Sequence, residues 1–470
     1  MAKRLVICLD GTTNRLDAKY PTNVVIAAES VIPFAPDGKT QVVFYDEGVG
    51  TEEGEAFKGG LFGVGMLKNI NDAYRFIILN YTPGDEIYVF GFSRGAYTAR
   101  SLVGLLYNCG IPRRCDAGQV TEAVRLYESR NPEDAPDAQK MLEYRKRYSP
   151  DLCVGEFEDA WRCANVEGYT PGSNPILQVT YLGVWDTVGS LGVPQRYRFW
   201  DRNKSRHDYH DVGLTRFVKS GRHAVAIDEA RIDFAPTLWE DVAALNEAAG
   251  HSADAPDAPY QQQWFPGDHG SVGGGGDVRG LSDQALDWVL DGARHAGLRL
   301  DSGPNSRIYE FAPDHTAVLT NATPLPKQSF MSRAMGVLPT EPRKGPTQLY
   351  EVSLSAQRRW HEVIDRLPGK AAYRPKPLME LEGELKQTDP SEIGLGPEVP
   401  LGQAEYVAHE VQPGETLSLL AKRHYNDAEL WPHILAANRY KVSNPDRIYV
   451  GQVLRIPLNP PSRESQEQIS

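Results

Sequence analysis

The sequence predicts an α/β protein: a mostly parallel sheet with helices on both faces, and a small strand–helix–helix–strand unit near the C-terminal end. Three observations predict it. Apolar runs of strand length alternate with helical periodicities from Leu5 to Gly110. One of those runs, Glu86 to Phe90, leads into Gly91-Phe92-Ser93-Arg94-Gly95, a Gly-x-Ser-x-Gly turn followed by a helix pattern. A proline-bearing acidic stretch, 375–404, then sets off a last segment, 405–457, with an apolar pattern of its own.

Leu5 to Leu9 reads as a buried strand that ends at the polar turn Asp10-Gly11-Thr12-Thr13-Asn14, before a helix from Val24 to Ile32. Gln41 to Tyr45 is a second strand, ending at Asp46-Glu47-Gly48, and a glycine-rich loop follows through Gly65. The helix Asn69 to Leu79 places Ile70, Ala73, Tyr74, Ile77 and Ile78 on one side. After Ser93, the small residues Gly95, Ala96 and Ala99 keep a helix face thin enough to lie on the sheet. Strand, helix, strand, helix, strand is the grammar of a parallel sheet, whose functional loops gather at the strands' carboxyl ends, where Asp10, Gly48 and Ser93 all fall.

The pattern loosens from 112 to 175 into charged helical pieces, Val120 to Ser129 and Ala138 to Tyr148, an insertion that serves either as a lid or as a surface elaboration. The sheet resumes at Ile176 to Trp185 and again leaves a carboxylate, Asp186, where the strand runs out. His269 lies among glycines, not on a core face, and Leu281 to Ala296 follows as an amphipathic helix. The expected units are a catalytic body 1–374, an extended linker 375–404, a small domain 405–457 and a disordered tail 458–470.

Charge and cysteine usage narrow the function. With 50 Lys plus Arg against 62 Asp plus Glu, a role resting on nucleic-acid phosphates is disfavoured. Five cysteines without paired spacing are expected as reduced thiols in a protein made in the cytosol. No signal-peptide leader precedes the first strand and no transmembrane run is seen, so export is expected to need a dedicated machine.

Ser93, Asp186 and His269 stand in the chain order nucleophile, acid, base of the α/β-hydrolase arrangement. A serine is a weak nucleophile until an imidazole takes its proton, and the imidazole needs a carboxylate to fix its tautomer. His223, read at a helix start, is the rival base; Asp201 and Asp228 are rival acids. An acyl-transfer oxyanion needs two donors, assigned to the amides of Arg94 and of Gly11 or Thr12; the turn Asp10-Gly11-Thr12 equally suits a helix cap. No cofactor is expected. His207-Asp208-Tyr209-His210-Asp211 lacks a second ligand cluster, so no metal is expected either, and calcium, if required, would go to Asp10, Asp46 or Glu47.

Four blocks carry a resemblance: Leu9 to Thr12, Gly91 to Arg100, Val184 to Gly192, and Arg222 to Glu229. They resemble the signature blocks of the α/β-hydrolase family that includes phospholipase effectors of bacterial type VI secretion, over roughly residues 3 to 380. The resemblance implies Ser93, Asp186 and His269 in the triad roles and a glycerophospholipid acyl ester as substrate. It also implies a secretion-machine component or an immunity protein as partner, and delivery to a periplasm or cell wall. One block departs: the family's Asp and Tyr after the histidine are Ser271 and Gly276 here, within His269-Gly270-Ser271-Val272-Gly273-Gly274-Gly275-Gly276.

The C-terminal segment resembles a LysM module through His409 to Leu417 and Asn444 to Pro457, with Leu420, Trp431, Ile434 and Leu454 as its core. That resemblance implies binding of peptidoglycan or a related N-acetylglucosamine glycan by Gly414, Glu415, Thr416 and Leu417 and by Asp446, Arg447 and Ile448. The alternative is a module that docks on a protein scaffold.

Overall fold

The computed structural model describes residues 2–11, 16–48, 61–189, 214–301, 306–308, 311–321, 340–390, 406–438, 441–442, 445–446 and 448–458. The elements of the body run in the order β1 (Arg4–Leu9), α1 (Asn23–Ser30), β2 (Gln41–Asp46), α2 (Leu61–Asn80), β3 (Glu86–Phe92), α3 (Arg94–Cys109), α4 (Ala117–Glu128), α5 (Gln139–Tyr148), α6 (Glu156–Asn165), β4 (Tyr181–Trp185), β5 (Gly221–Ala226), α7 (Val242–Ala248), β6 (Tyr260–Phe265), α8 (His269–Gly273) and α9 (Gly280–His295). The six strands pair in parallel in the order β2-β1-β3-β4-β5-β6. The expected α/β sheet is therefore present.

Side chains alternate across a strand, so β1 feeds two cores. Leu5, Ile7 and Leu9 pack with α2 and α3, while Val6 and Cys8 pack with α1 and α9. Each such fully buried aliphatic side chain contributes about 1.5–3 kcal/mol relative to exposure, and an aspartate at the fully buried Ile7 would break the central layer.

Two strands differ from expectation. Gly221–Ala226, read as a helix start at His223, is strand β5, and Tyr260–Phe265, with its three glutamines, is edge strand β6. The polar residues are inside because they satisfy one another: His223 Nδ1 bonds the Gln262 side-chain oxygen at 2.9 Å.

The 112–175 insertion is built onto the α2/α3 core through Val120, Ala123, Leu126 and Met141. Arg145, fully buried, donates to Glu158 at 2.8 Å and to the Asn108 carbonyl at 2.7 Å, and Arg162 donates to the same Glu158 at 2.6 Å. These ties gather at the far end of α3, a helix about 24 Å long that begins beside Ser93.

The tether expected from 375 is folded in its first part, which corrects its boundary. Lys376–Leu381 forms a 3₁₀ turn and Glu382–Gln387 a helix. Leu378, Leu381 and Leu385 are buried against Val225, Ile227, Trp264 and Trp360. Three leucines at helical spacing outweigh the proline-rich, acidic composition around them. Residues 391–405 and the tail from 459 lie outside the described residues.

The small unit pairs β7 (Tyr406–Glu410) antiparallel with β8 (Val453–Pro457) and packs helices Leu417–Tyr425 and Trp431–Asn438 over Val411, Leu420, Ile434 and Leu454. It touches the body along α9. Lys441 pairs with Asp287 at 3.0 Å, His295 Nδ1 bonds the Val450 carbonyl at 3.1 Å, and Arg455 donates to the Phe311 carbonyl. Among the described residues no helix is long and apolar enough to cross a membrane.

Candidate active site

Ser93 leaves β3 at φ 58° and ψ −124°, a left-handed conformation that costs a non-glycine residue on the order of 1–3 kcal/mol. Its surroundings hold it there. A Cβ on Gly95 would lie 2.2 Å from the Leu9 carbonyl oxygen, and one on Gly91 would lie 2.6 Å from the Gly95 oxygen, so the chain passes close only because both are glycines. The Ser93 amide donates to the Trp185 carbonyl at 3.0 Å, which locks the turn to the end of β4.

Asp186 follows β4 with φ 37°, fully buried, its amide bonded to Ala224 at 2.7 Å. His269 opens α8, whose cap Asp268 accepts from the Ser271 amide at 2.8 Å. The imidazole lies between the rings of Phe92, at 4.6 Å, and Phe234, at 4.9 Å. Glycine at 273 makes this approach possible, because a Cβ there would meet the Phe92 ring at 1.9 Å.

The three side chains join in one hydrogen-bonded chain. His269 Nε2 is 2.8 Å from Ser93 Oγ, and His269 Nδ1 is 2.6 Å from Asp186 Oδ2. With Nδ1 donating to the carboxylate, Nε2 is the acceptor for the serine proton.

Arg343, which sequence reasoning did not find, is bound to Asp186. Its guanidinium donates to Asp186 Oδ1 at 2.6 Å and Oδ2 at 2.9 Å, and to the carbonyls of Ala226 at 2.9 Å and Phe234 at 2.5 Å. Burial by itself raises the Asp186 carboxyl; the Arg343 charge and the His269 hydrogen bond outweigh it and hold the group well below the usual carboxylate range.

The rivals are placed elsewhere. His223 Nε2 accepts from the Thr187 amide at 3.3 Å while Nδ1 donates to Gln262, and burial lowers this imidazole to about 3, so it is a neutral brace behind the residue after Asp186. Asp228 accepts from the Gly267 amide at 2.7 Å and the Tyr373 hydroxyl at 2.8 Å, apart from the serine chain. Asp201, Thr12, Arg447 and the 207–211 cluster lie outside the described residues.

Of the expected oxyanion donors, Arg94 opens α3, where first-turn amides have no acceptor within the helix. The Gly11 amide is engaged, donating to Asp10 Oδ1 at 2.6 Å. Asp10 Oδ2 in turn accepts from Thr22 at 2.6 Å and Tyr45 at 2.9 Å, so this carboxylate organises the β1 turn. Asp46, raised to about 6 by burial, ends β2 in the neighbouring loop cluster.

The departing block is accommodated locally. Ser271 Oγ donates to the Leu319 carbonyl at 2.9 Å, and a Cβ on Gly276 would fall 1.6 Å from the side-chain oxygen of Asn321, which occupies that space. In the small unit, Gly414 turns at φ 81°, Glu415 accepts from His409 at 2.6 Å and Gln412 at 2.9 Å, Thr416 caps the Leu417–Tyr425 helix, and Leu417 is buried. Asp446 is exposed and Ile448 half-buried, beside the Tyr449–Val450 contact with the body.

Residues 3–292 match the family model of the type VI secretion system phospholipase effector Tle1-like catalytic domain, and residues 409–457 match the LysM domain. An uncharacterized protein of Saccharomyces cerevisiae is 24% identical over 252 residues, covering 49% of this chain and 32% of that protein. The potassium binding protein Kbp of Escherichia coli O6:H1 is 47% identical over 49 residues, covering 10% of this chain and 33% of that protein. The chain thus spans about a third of the length of these curated relatives. Among solved structures, that of the Tle1 effector bound to the VgrG spike of the type 6 secretion system aligns at TM-score 0.33 and 15% identity over 58% of this chain and 51% of that one. An uncharacterized protein from Pseudomonas aeruginosa aligns at TM-score 0.38 and 16% identity over 96% and 75%.

Proposed function

The chain belongs to the Tle1-like catalytic-domain family of type VI secretion phospholipase effectors, and on that premise we propose that it is a serine carboxylester hydrolase, a phospholipase A acting on membrane glycerophospholipids. The observation that carries this is the bonded chain from Ser93 Oγ through His269 to Asp186, at 2.8 and 2.6 Å.

Ser93 Oγ attacks the acyl carbonyl carbon while its proton passes to His269 Nε2, and Asp186 stabilises the imidazolium through Nδ1–H. The oxyanion is met by the Arg94 amide, and with the Gly11 amide engaged by Asp10 the Thr12 amide is the second donor proposed. Collapse breaks the bond to the glycerol oxygen, which takes the His269 proton and leaves as lysophospholipid. Water then attacks the acyl-serine, gives its proton to His269, and the fatty acid is released as Ser93 regains its proton. Arg343 and His223 are positioning residues that hold Asp186 and the residue after it.

The test is incubation with vesicles of phosphatidylethanolamine and phosphatidylglycerol followed by lipid mass spectrometry. Equal amounts of fatty acid and lysolipid are expected. No lipid product, with a short-chain ester still cut, would replace the phospholipid by another acyl ester; no turnover of either would leave a non-catalytic binding protein.

The LysM module is proposed to hold the enzyme at peptidoglycan after delivery by the secretion machine. A second reading, docking on protein, is favoured by one observation: Lys441, Tyr449 and Val450, which flank the Asp446–Ile448 loop, already contact the body. Co-sedimentation of the intact chain, and of a chain ending before Glu405, with insoluble peptidoglycan separates the two.

A further inference from the structure

A cleft of about 730 Å³ lies between α9, the β6 edge and the small unit, and its lining contains none of Ser93, Asp186 or His269. Helix α9 presents Gln284, Asp287, Trp288 and Asp291 to it, four residues at i, i+3, i+4 and i+7 on one face; Lys441 and Tyr449 come from the opposite wall. The Gln284 side chain is only 6% exposed, and neither its amide oxygen nor its amide nitrogen has a hydrogen-bond partner among the described residues. A buried amide left so loses on the order of 1–3 kcal/mol for each orphaned group, so a ligand that satisfies both is strongly favoured.

Three features of the lining select the ligand. The orphaned amide calls for one donor and one acceptor at fixed spacing, which another amide supplies reciprocally. Asp287 and Asp291 line the same wall, ion-paired with Lys441 at 3.0 Å and with Arg294 at 2.7 Å respectively, so the wall is charge-compensated while its carboxylate oxygens can still accept hydrogen bonds from hydroxyl groups. The half-buried indole of Trp288, braced by Phe265 at 5.4 Å and by the Arg222 guanidinium at 5.0 Å, supplies a rigid apolar wall for C–H groups. Amide, hydroxyls and an apolar face together describe an acetamido sugar.

We propose that this cleft is a binding site for an N-acetylhexosamine unit of a glycan chain, with the acetamido group on Gln284, hydroxyls on Asp287 and Asp291, and the ring against Trp288. The site is formed mainly by the catalytic body, with Lys441 and Tyr449 of the small unit on its opposite wall, and its lining contains none of Gly414 to Leu417 or Asp446 to Ile448. It shares only its ligand chemistry with the wall-binding role proposed above.

The test is calorimetric titration of the intact chain with the β-1,4-linked tetramer of N-acetylglucosamine, paired with hydrogen exchange read separately over 280–295 and 412–417. Slowed exchange over 280–295 is expected, and Gln284→Met should weaken binding roughly tenfold with an unchanged or raised thermal midpoint, because the side chain makes no bond that the fold would lose. Gln284→Ala carries the same comparison if the longer side chain overpacks. Protection confined to 412–417, with Gln284→Met binding as the wild type does, would overturn the cleft and leave the LysM role standing. Protection over 280–295 alone would support the cleft and remove the LysM loops. No binding of the tetramer would overturn the cleft as a site for this sugar.

Discussion

Replacing Arg343 by methionine removes the guanidinium and keeps much of the volume. Arg343 is 4% exposed and bonds both oxygens of a fully buried carboxylate, so its loss leaves Asp186 charged, buried and held by His269 and the Ala226 amide. Breaking a buried pair from one side destabilises by about 3–5 kcal/mol, which for a domain of this kind lowers the melting midpoint by on the order of 10 °C. The sign for proton binding follows from the same contacts. The folded carboxyl of Asp186 lies below its unfolded value, so its stabilisation is present above the unfolded pKa and is lost as pH falls through the folded one. Without Arg343, burial is opposed chiefly by the His269 bond, the folded pKa rises, and the acid limb of kcat/KM moves to higher pH. The rate at neutral pH should fall about ten- to hundredfold, a part of the ~10²–10⁴ that a positioned general base supplies. Hydrolysis of p-nitrophenyl butyrate across pH, with calorimetric melting, measures both. A rate within twofold of wild type and an unmoved acid limb would refute the role given to Arg343.

His269→Ala should remove ester hydrolysis by several powers of ten while His223→Gln retains most of it; the reverse ranking in the same assay would exchange the two histidines. His223, lowered to about 3 by burial, binds its proton in the unfolded chain first, so stability should fall as pH drops below about 6.5, by roughly 2 kcal/mol at pH 5. Urea melts at pH 7 and pH 5 check this, and His223→Gln should flatten the difference. Ester hydrolysis should survive EDTA, because the serine relay closes without a metal; full loss rescued by calcium would direct attention to Asp10, Asp46 and Glu47.

Ser93, Asp186 and His269 were legible because each falls where local chemistry is loud: a glycine-flanked serine after an apolar strand, a carboxylate at a strand end, a histidine among glycines. The parallel sheet was legible from β1 to β4 for the same local reason. β5 and β6 were not, since His223 and Gln262 become core residues only by bonding each other across strands, 39 residues apart. Arg343 lies 157 residues from its partner in a stretch with no periodicity, and an arginine near prolines carries no signal of its own. The Gly11 amide read as a donor for the oxyanion because sequence cannot tell that Asp10 has turned back onto it.

Ser93 should react as a nucleophile activated by His269. Reaction with a fluorophosphonate ester, followed by peptide mass spectrometry, tests it without assuming any lipid. A single phosphonylated residue, Ser93, is expected in the wild type, with no labelling in Ser93→Ala and labelling slowed by at least about a hundredfold in His269→Ala. Equal labelling of wild type and His269→Ala, or a wild type in which Ser93 stays unmodified, would contradict it.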